Sequence, residues 1–98
     1  MTWTIKVVGK AKKQITKLPA DIRELYFALV FEIKKLGPAR TEWHNYGKLK
    51  GAKDCHHCHL TKGRPTYVAV WKVSSETTRI VEVRYVGTHE KADYQRVC

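Results

Sequence analysis

The apolar residues between positions 22 and 36 recur at the spacing of one helical face, and no other feature of the chain constrains its fold as much. The residues that make this stripe are Ile22, Leu25, Tyr26, Leu29, Ile33 and Leu36. Side chains at i, i+3, i+4 and i+7 lie on one side of an α-helix, so the segment predicts an amphipathic helix with one buried face. Pro19 suits the first turn of such a helix, and Gly37 with Pro38 stops it.

The other segments are strand-like, apart from one short basic helix. An opening strand of about six residues begins near Trp3, where apolar and polar residues alternate, and the basic helix around Ala11 follows it. Three further strand-like runs are separated by turn-forming residues: 55–61, 66–73 and 79–86. Residues 39–53 are predicted to form a loop. Together these elements predict a single domain over residues 1–98 of the α+β class, with two N-terminal helices packed on a mostly antiparallel four-stranded sheet.

The charge of the chain indicates its kind of partner. Nineteen Lys and Arg residues against nine Asp and Glu residues give a formal charge of +10. Such an imbalance indicates a polyanion, most simply nucleic acid, with an anionic membrane surface as the competitor. No run approaches the roughly 18 consecutive apolar residues of a membrane span, and the N-terminus does not read as a signal peptide. We therefore expect a cytoplasmic protein with no membrane partner and, with three cysteines in a reducing compartment, no disulfide framework.

Residues 55–59 read CHHCH, which matches the C-x-x-C-H signature of covalent haem attachment. In a strand, Cys55 and Cys58 point to opposite faces, whereas haem needs both thiols at one porphyrin edge, so we expect no haem. Cys55, His57 and His59 share a face and could be three zinc ligands. Residues available to complete a zinc site are His44, His89 and Cys98. The simpler interpretation is a core Cys58 with solvated histidines outside, and we expect no metal.

The two histidines of one face, His57 and His59, lie in a strongly basic part of the sequence. Asp54 is the sole acid between Lys48 and Lys72. Imidazoles that titrate near neutrality, set among cations, can move protons beside a phosphodiester. The same charge also suits a surface that binds RNA without cleaving it, and the pattern alone does not separate the two.

Short motifs occur along nearly the whole chain in a characteristic order. They are A-x-K-Q-I-x-K-L-P near residue 11, GKLKG at 47–51, DCHHCHL at 54–60, GRPTYVAVWKV at 63–73 and VGTHEKADY at 86–94. In this order they resemble the RelE/ParE toxin superfamily, most closely the RelE- and YafQ-type mRNA interferases of bacterial toxin-antitoxin systems. The resemblance implies the RelE-like microbial RNase fold, cleavage of mRNA on the ribosome and a small cognate antitoxin protein. ParE-type members poison DNA gyrase instead, so a gyrase inhibitor stays the alternative, as does a non-catalytic RNA- or zinc-binding module.

The resemblance also implies roles for individual residues. DCHHCHL is similar to a YafQ-type active-site motif, which makes His59 catalytic, and GTHEKADY is similar to the ending of that branch, which adds His89 and Tyr94. RelE has two lysines where this chain has His57 and His59, and an arginine where it has His89. The expected catalytic residues are His59, His89, Tyr94, Arg64 and His57. The expected RNA-binding residues are Lys48, Lys50, Lys53, Lys62, Trp43 and Tyr46, of which the two aromatic ones could instead pin the loop.

These residues would support RNA cleavage without a metal or other cofactor. The 2′-hydroxyl attacks the adjacent phosphorus, one histidine takes its proton and the other protonates the leaving 5′-oxygen. Arg64 and Lys50 would hold the charge on the phosphoryl oxygens, and Tyr94 would stack on a base. The expected partners are therefore mRNA, the ribosome and an antitoxin. Phe27 and Phe31, one helical turn apart, either pack on the first helix or form part of the surface that the antitoxin covers.

Overall fold

The computed structural model describes residues 2–51 and 53–98, which form one five-stranded sheet and three α-helices. The strands are β1 Thr4–Val7, β2 His44–Lys48, β3 Cys55–His59, β4 Tyr67–Ser75 and β5 Ile80–Thr88. The helices are α1 Gly9–Thr16, α2 Ala20–Leu36 and α3 Tyr94–Val97, and a 3₁₀ turn spans His89–Lys91. The strand order is β1-β5-β4-β3-β2, with β1 parallel to β5 and the other pairs antiparallel. The predicted α+β class is confirmed.

The prediction of four strands is wrong, because β2 lies inside the segment predicted as a loop. Its sequence, HNYGK, has no alternation of apolar and polar residues. It is an edge strand paired only with β3, and its register is interrupted between His44 and Gly47, where Asn45 has a positive φ of 51°. An edge strand that buries little needs no period-2 pattern, so the sequence carries no signal for it.

Helices α1 and α2 lie on one side of the sheet, here called the helix face, and enclose the main core. Helix α2 contributes Ile22, Tyr26, Leu29 and Ile33, which pack together with sheet residues such as Trp71. Leu25 and Leu36 belong to the predicted stripe but are 36% and 69% exposed, so the buried face is narrower than predicted. Within the described residues, no helix is both long and apolar enough to cross a bilayer.

The other side of the sheet, here called the open face, carries a smaller apolar cluster. Cys55, Val68, Val70 and Tyr85 are buried there, beneath the C-terminal segment that contains α3. This third helix was not predicted. Cys55 and Cys98 form a disulfide across 43 positions of sequence, with their Cα atoms 6.3 Å apart. The expectation of no disulfide is therefore wrong, because a cysteine count does not reveal that the chain end folds back over β3.

A β-bulge near the middle of β5 decides which of its side chains reach the open face. Val83 is opposite Trp71 and Tyr85 is opposite Val70, so Arg84 has no partner on β4. Val81 and Val83 therefore contact the helix-face core, whereas Tyr85 joins the open-face cluster. One extra residue in a strand reverses the alternation beyond it. The bulge thus places Tyr85 beneath α3.

Candidate active site

Strand β3 divides the CHHCH motif between the two faces of the sheet. Cys58 lies in the helix-face core and Cys55 in the open-face cluster, which confirms the predicted alternation. His57 and His59 are only partly buried and share the face of Cys55. The two thiols therefore cannot meet one porphyrin edge. Within residues 2–51 and 53–98, no three His, Cys, Asp or Glu side chains lie close enough together to hold a metal ion.

Four side chains from three segments meet on the open face, and we refer to His57, His59, His89 and Tyr94 as the histidine cluster. The ring centroids of His59 and His89 are 5.5 Å apart. Tyr94 lies 5.8 Å from His57 and 5.8 Å from His89 by the same measure. Residues far apart in the sequence thus form one packed group of rings.

The backbone of the β4–β5 sheet positions His89. Its N–H donates a 2.7 Å hydrogen bond to the carbonyl oxygen of Thr66, just before β4, and the 3₁₀ turn starts at that point. Nδ1 of His89 and the hydroxyl oxygen of Tyr94 are 2.9 Å apart and share a hydrogen bond. Tyr94 is held in turn because the Asp93 carboxylate caps α3 by accepting from the N–H of Arg96. His89 is therefore fixed by its backbone on one side and by a phenol on the other.

Gly87, the first residue of the GTH motif, is required by close packing rather than by chemistry. The Tyr85 hydroxyl donates to the carbonyl oxygen of Thr88 at 2.7 Å, which brings its ring across the strand. A Cβ atom at position 87 would lie 2.8 Å from the Tyr85 hydroxyl oxygen, closer than a Cβ atom approaches any atom to which it is not bonded. A side chain at Gly87 would therefore displace Tyr85 and, with it, the backbone that leads to His89.

Asn45 is a member of the site that the sequence did not reveal. Its side-chain nitrogen lies 3.2 Å from Nδ1 of His59, from the neighbouring strand β2. An amide has both a donor and an acceptor end, so it can hold the imidazole ring in either protonation state. Nε2 of His59 makes no hydrogen bond within the described part of the chain, so it stays available to a ligand. Finding Asn45 required knowledge that β2 is a strand.

Burial and mutual repulsion keep the histidines on β3 uncharged. The pKa of His57 is lowered by burial first and then by His59 and His89. The pKa of His59 is also lowered, by burial and then by His89 and His44. Burial, and secondarily Tyr85, raises the pKa of Tyr94, so that residue stays a neutral phenol. Near pH 7 the cluster can therefore accept a proton, and charge on one ring opposes charge on the next.

Two of the expected RNA-binding residues, Trp43 and Tyr46, pin the protein's own structure. The Trp43 indole N–H donates to a Glu32 carboxylate oxygen at 2.9 Å. The hydroxyl oxygen of Tyr46 is 2.7 Å from Nδ1 of His56, and both aromatic residues pack against the helix-face core. His56 is itself 3% exposed and stacked on Trp71, and burial lowers its pKa to about 4. These groups hold β2 on the sheet.

Three of the expected lysines border the histidine cluster. Lys50 and Lys53 line a cavity of about 480 Å³ together with Tyr94. Lys62 lines another cavity, of about 370 Å³, together with His59. The cavity beside Tyr94 therefore has a cationic wall without an acidic residue, which suits an RNA phosphate. The cavity beside His59 also contains Glu32 and Glu42, both of which lie within ion-pair distance of Arg40.

Lys48 and Arg64 are placed differently. Lys48 is opposite His56 in the sheet register and so points to the helix-face side, where its ammonium lies 3.8 Å from the Asp54 carboxylate. The structure does not bring it to the histidine cluster. Arg64 is exposed on the β3–β4 loop and makes no hydrogen bond or ion pair with the residues described. The loop ends at Thr66, the hydrogen-bond partner of His89, so Arg64 lies in the connection between β3 and that residue.

The solved structures that resemble this chain include RelE toxins, alone and in complexes with RelB. A double arginine-to-alanine mutant of E. coli RelE in the free state superposes with a TM-score of 0.72 at 24% sequence identity, covering 94% of this chain and 88% of that one. The RelE–RelB complex from Pyrococcus horikoshii gives 0.70 at 16% identity, covering 94% and 100%. The intact E. coli RelBE toxin-antitoxin complex gives 0.70 at 22% identity, covering 91% and 99%.

Comparison of sequences found no relative of this chain, whereas comparison of structures found several. No protein-family model matches the chain, and no curated protein sequence matches it. At 16 to 24% sequence identity, the structural matches establish the fold alone. The chain has the fold of the RelE toxins.

Proposed function

We propose that this protein is the toxin of a type II toxin-antitoxin system and an endoribonuclease that cleaves mRNA, on the ribosome, without a metal. The observation that carries the proposal is the approach of His59 and His89 to a ring separation of 5.5 Å on the open face. Two imidazoles at that distance can serve both sides of one phosphodiester. The fold of the RelE toxins supports the same conclusion.

The chemistry follows from the two proton transfers that strand cleavage needs. The RNA 2′-hydroxyl forms a bond to the adjacent phosphorus, the 5′-oxygen leaves, and the products carry a cyclic phosphate and a free 5′-hydroxyl. One histidine takes the 2′ proton and the other donates a proton to the leaving oxygen. Their Nδ1 atoms are occupied by Asn45 and Tyr94, so Nε2 is the atom of each ring that acts on RNA. His57, which packs against Tyr94 on the same face, is a further imidazole of the proposed site.

Charge and stacking complete the proposed site. Lys50, Lys53 and Lys62, in the walls of the flanking cavities, attract the neighbouring phosphates, and Arg64 reaches the scissile one from the β3–β4 loop. A guanidinium is suited to this because it holds two phosphoryl oxygens at once. Tyr94 offers a partly exposed ring on which one base can stack.

An antitoxin would restrain this activity. Two of the similar structures, from E. coli and Pyrococcus horikoshii, are complexes of RelE with RelB. For this chain, with a charge of +10, we infer an acidic protein partner that covers the cationic surface around Tyr94. When the protein is purified from its native operon, a small acidic chain should come with it, and isolation of the free monomer would contradict this inference.

Mapping of transcript ends tests the proposed activity. Expressed alone under tight control, the protein should produce new ends inside translated messages, at fixed positions relative to codons. The same protein with His59→Ala and His89→Ala should produce none. Full toxicity of that double variant, without new transcript ends, would favour a gyrase inhibitor of this fold. RNA binding with neither toxicity nor cleavage would favour a non-catalytic module.

A substrate change isolates the chemical step. A message with one 2′-deoxynucleotide at the scissile position lacks the attacking hydroxyl. It should bind to the enzyme and the ribosome as the ordinary message does and remain uncut. Cleavage of the deoxy message would rule out 2′-hydroxyl attack.

A further inference from the structure

A second cationic feature lies beside the segment that carries His89 and Tyr94, towards α1. Two adjoining cavities of about 470 and 440 Å³ share Lys10, Tyr85 and Lys91 in their walls. Together they form a groove between α1, the end of β5 and the C-terminal segment. We call it the basic groove and define it by its five cations: Lys10, Lys17, Arg84, Lys91 and Arg96.

Counter-charges for these cations are nearly absent. Asp93 is the one acidic residue in the walls of the two cavities, and its carboxylate already caps α3. Helix α1, sequence GKAKKQIT, supplies no acid either. Among the described residues, the four cations other than Arg84 form no ion pair. Gathered like charges raise the free energy of the empty surface, and a polyanion would lower it.

Arg84 enters the wall of the groove through an irregularity of the sheet. It is the extra residue of the β5 bulge, and bulges commonly re-aim a side chain next to a functional surface. One terminal nitrogen of Arg84 lies 2.9 Å from the Glu82 carboxylate. Its Nε atom, in contrast, is buried and has no hydrogen-bond partner within the described structure. Arg84 thus adds a guanidinium to the groove that is 30% exposed and only partly paired.

The aromatic residues of the groove indicate whether it suits single-stranded or base-paired RNA. Tyr85 is 6% exposed and its hydroxyl is engaged by Thr88, while Tyr67 packs against the helix-face core. Neither offers a free ring. Proteins that hold single strands combine cations with stacking platforms, whereas paired RNA turns its bases inward and presents phosphates. The histidine cluster has such a platform in Tyr94, and the basic groove has none.

We propose that the basic groove binds the phosphate backbone of a base-paired RNA segment, distinct from the strand that reaches the histidine cluster. The inference rests on the proposed function in that both surfaces serve an enzyme acting on RNA. The C-terminal segment is the wall between the two surfaces. A single-stranded message held against a folded RNA would therefore contact both at once.

The test compares two sets of three lysines in a protein that cannot cut its ligand. In a His59→Ala, His89→Ala background, the groove variant carries Lys10→Gln, Lys17→Gln and Lys91→Gln. The control variant carries Lys6→Gln, Lys34→Gln and Lys35→Gln, which removes the same charge from exposed lysines that lie outside the groove and outside both cavities beside the histidine cluster. Binding of a hairpin RNA and of an unpaired RNA of equal length is measured over a salt series.

The groove variant should bind the hairpin about tenfold more weakly or worse. The slope of log affinity against log salt should fall by about two to three, because each phosphate that a lysine no longer neutralises lowers it by about 0.9. The control should change hairpin affinity less than about twofold at the same salt. Equal losses in both variants would overturn the proposal. An equal loss on the unpaired RNA would overturn its claim of base pairing.

Two further measurements distinguish RNA binding in the groove from binding of an acidic protein there, and from the proposed nuclease activity. If the groove variant loses affinity for polyglutamate and not for RNA, the groove serves an acidic protein and the proposal fails. With the histidines restored, the groove variant should cut a ribosome-bound message at the wild-type single-turnover rate once ribosomes are saturating. If the wild-type protein cuts no message on translating ribosomes, while the groove variant alone loses hairpin binding, the proposed function fails and the groove inference stands.

Discussion

His56 and His57 are adjacent in sequence and opposite in surroundings. His56 faces the helices, is 3% exposed, stacks on Trp71 and bonds to Tyr46. His57 faces the open side among other titrating rings, and its Nδ1 atom has no hydrogen-bond partner among the described residues. One peptide unit thus separates a structural histidine from a candidate active-site one. The face of the strand, rather than the residue type, decides which role an imidazole takes.

The largest expected effect is on the open face. His59→Ala or His89→Ala should each lower the cleavage rate by about 10²- to 10⁴-fold, because each removes one proton transfer. Single-turnover rates measured across pH should show one limb of a bell-shaped profile missing. The thermal stability of both variants should stay near that of the wild type. Full activity in both variants would show that neither histidine of the open face takes part in the reaction.

The disulfide on the open face gives the next effect. Cys98→Ser should lower the free energy of unfolding by about 2 to 4 kcal/mol, since it releases a loop closed across 43 positions. A dithiol reductant should produce a similar loss in the wild type and none in the variant. Cys58→Ser is the control, since it places a hydroxyl in the helix-face core and should cost about 1 kcal/mol or more with or without reductant. Urea unfolding under both conditions measures this.

Acid should lower the free energy of unfolding through His56, which is buried on the helix face. In the unfolded chain this group titrates near its ordinary pKa of 6.5, whereas in the folded protein its pKa is about 4. The unfolded state therefore binds more protons between those values, so stability falls as pH drops from about 6.5 to about 4 and then levels off. The loss is on the order of 3 kcal/mol, with smaller contributions of the same sign from His57 and His59.

Unfolding curves at several pH values check this. A His56→Gln variant, which cannot be charged, should show a much flatter profile than the wild type. Tyr46→Phe leaves His56 titratable and so should keep the acid dependence. A profile in His56→Gln as steep as that of the wild type would show that other groups dominate.

The smallest expected effect is at the β3–β4 loop. Arg64→Ala should slow cleavage about tenfold, because an exposed guanidinium is partly screened but still stabilises phosphoryl charge. Both limbs of the pH profile should remain, since Arg64 moves no proton. Lys35→Ala, which removes a cation from the far end of α2, serves as the control. If Arg64→Ala lost one limb of the pH profile, Arg64 would have to take part in proton transfer.

Much of the fold followed from local pattern. The spacing of Ile22, Tyr26, Leu29 and Ile33 predicted α2, and Gly37 marked its end. Alternation in CHHCH separated Cys55 from Cys58 and grouped His57 with His59, as the structure confirms. These inferences succeeded because helical and strand periodicities are properties of the local backbone.

Pattern could not find the elements whose burial depends on distant partners. Strand β2 has no alternation because it lies at an edge, and α3 is a four-residue helix held by the open-face cluster and by Cys55. From their position in a basic loop, Trp43 and Tyr46 were expected either to bind RNA or to pin the loop, and the sequence did not show what they would contact. Their hydrogen bonds to Glu32 and His56 depend on tertiary neighbours that no local signal marks.

The sequence by itself determined the class of fold, the cationic character and the face on which each β3 side chain lies, because all three depend on composition or on local periodicity. Only the tertiary structure decided that His59 and His89, 30 positions apart, lie 5.5 Å from each other with Asn45 and Tyr94 on their Nδ1 atoms. It also decided that a bulge at Arg84 turns Tyr85 to the open face. The physical reason is that strand pairing and register join distant segments, and one inserted residue changes every side chain beyond it.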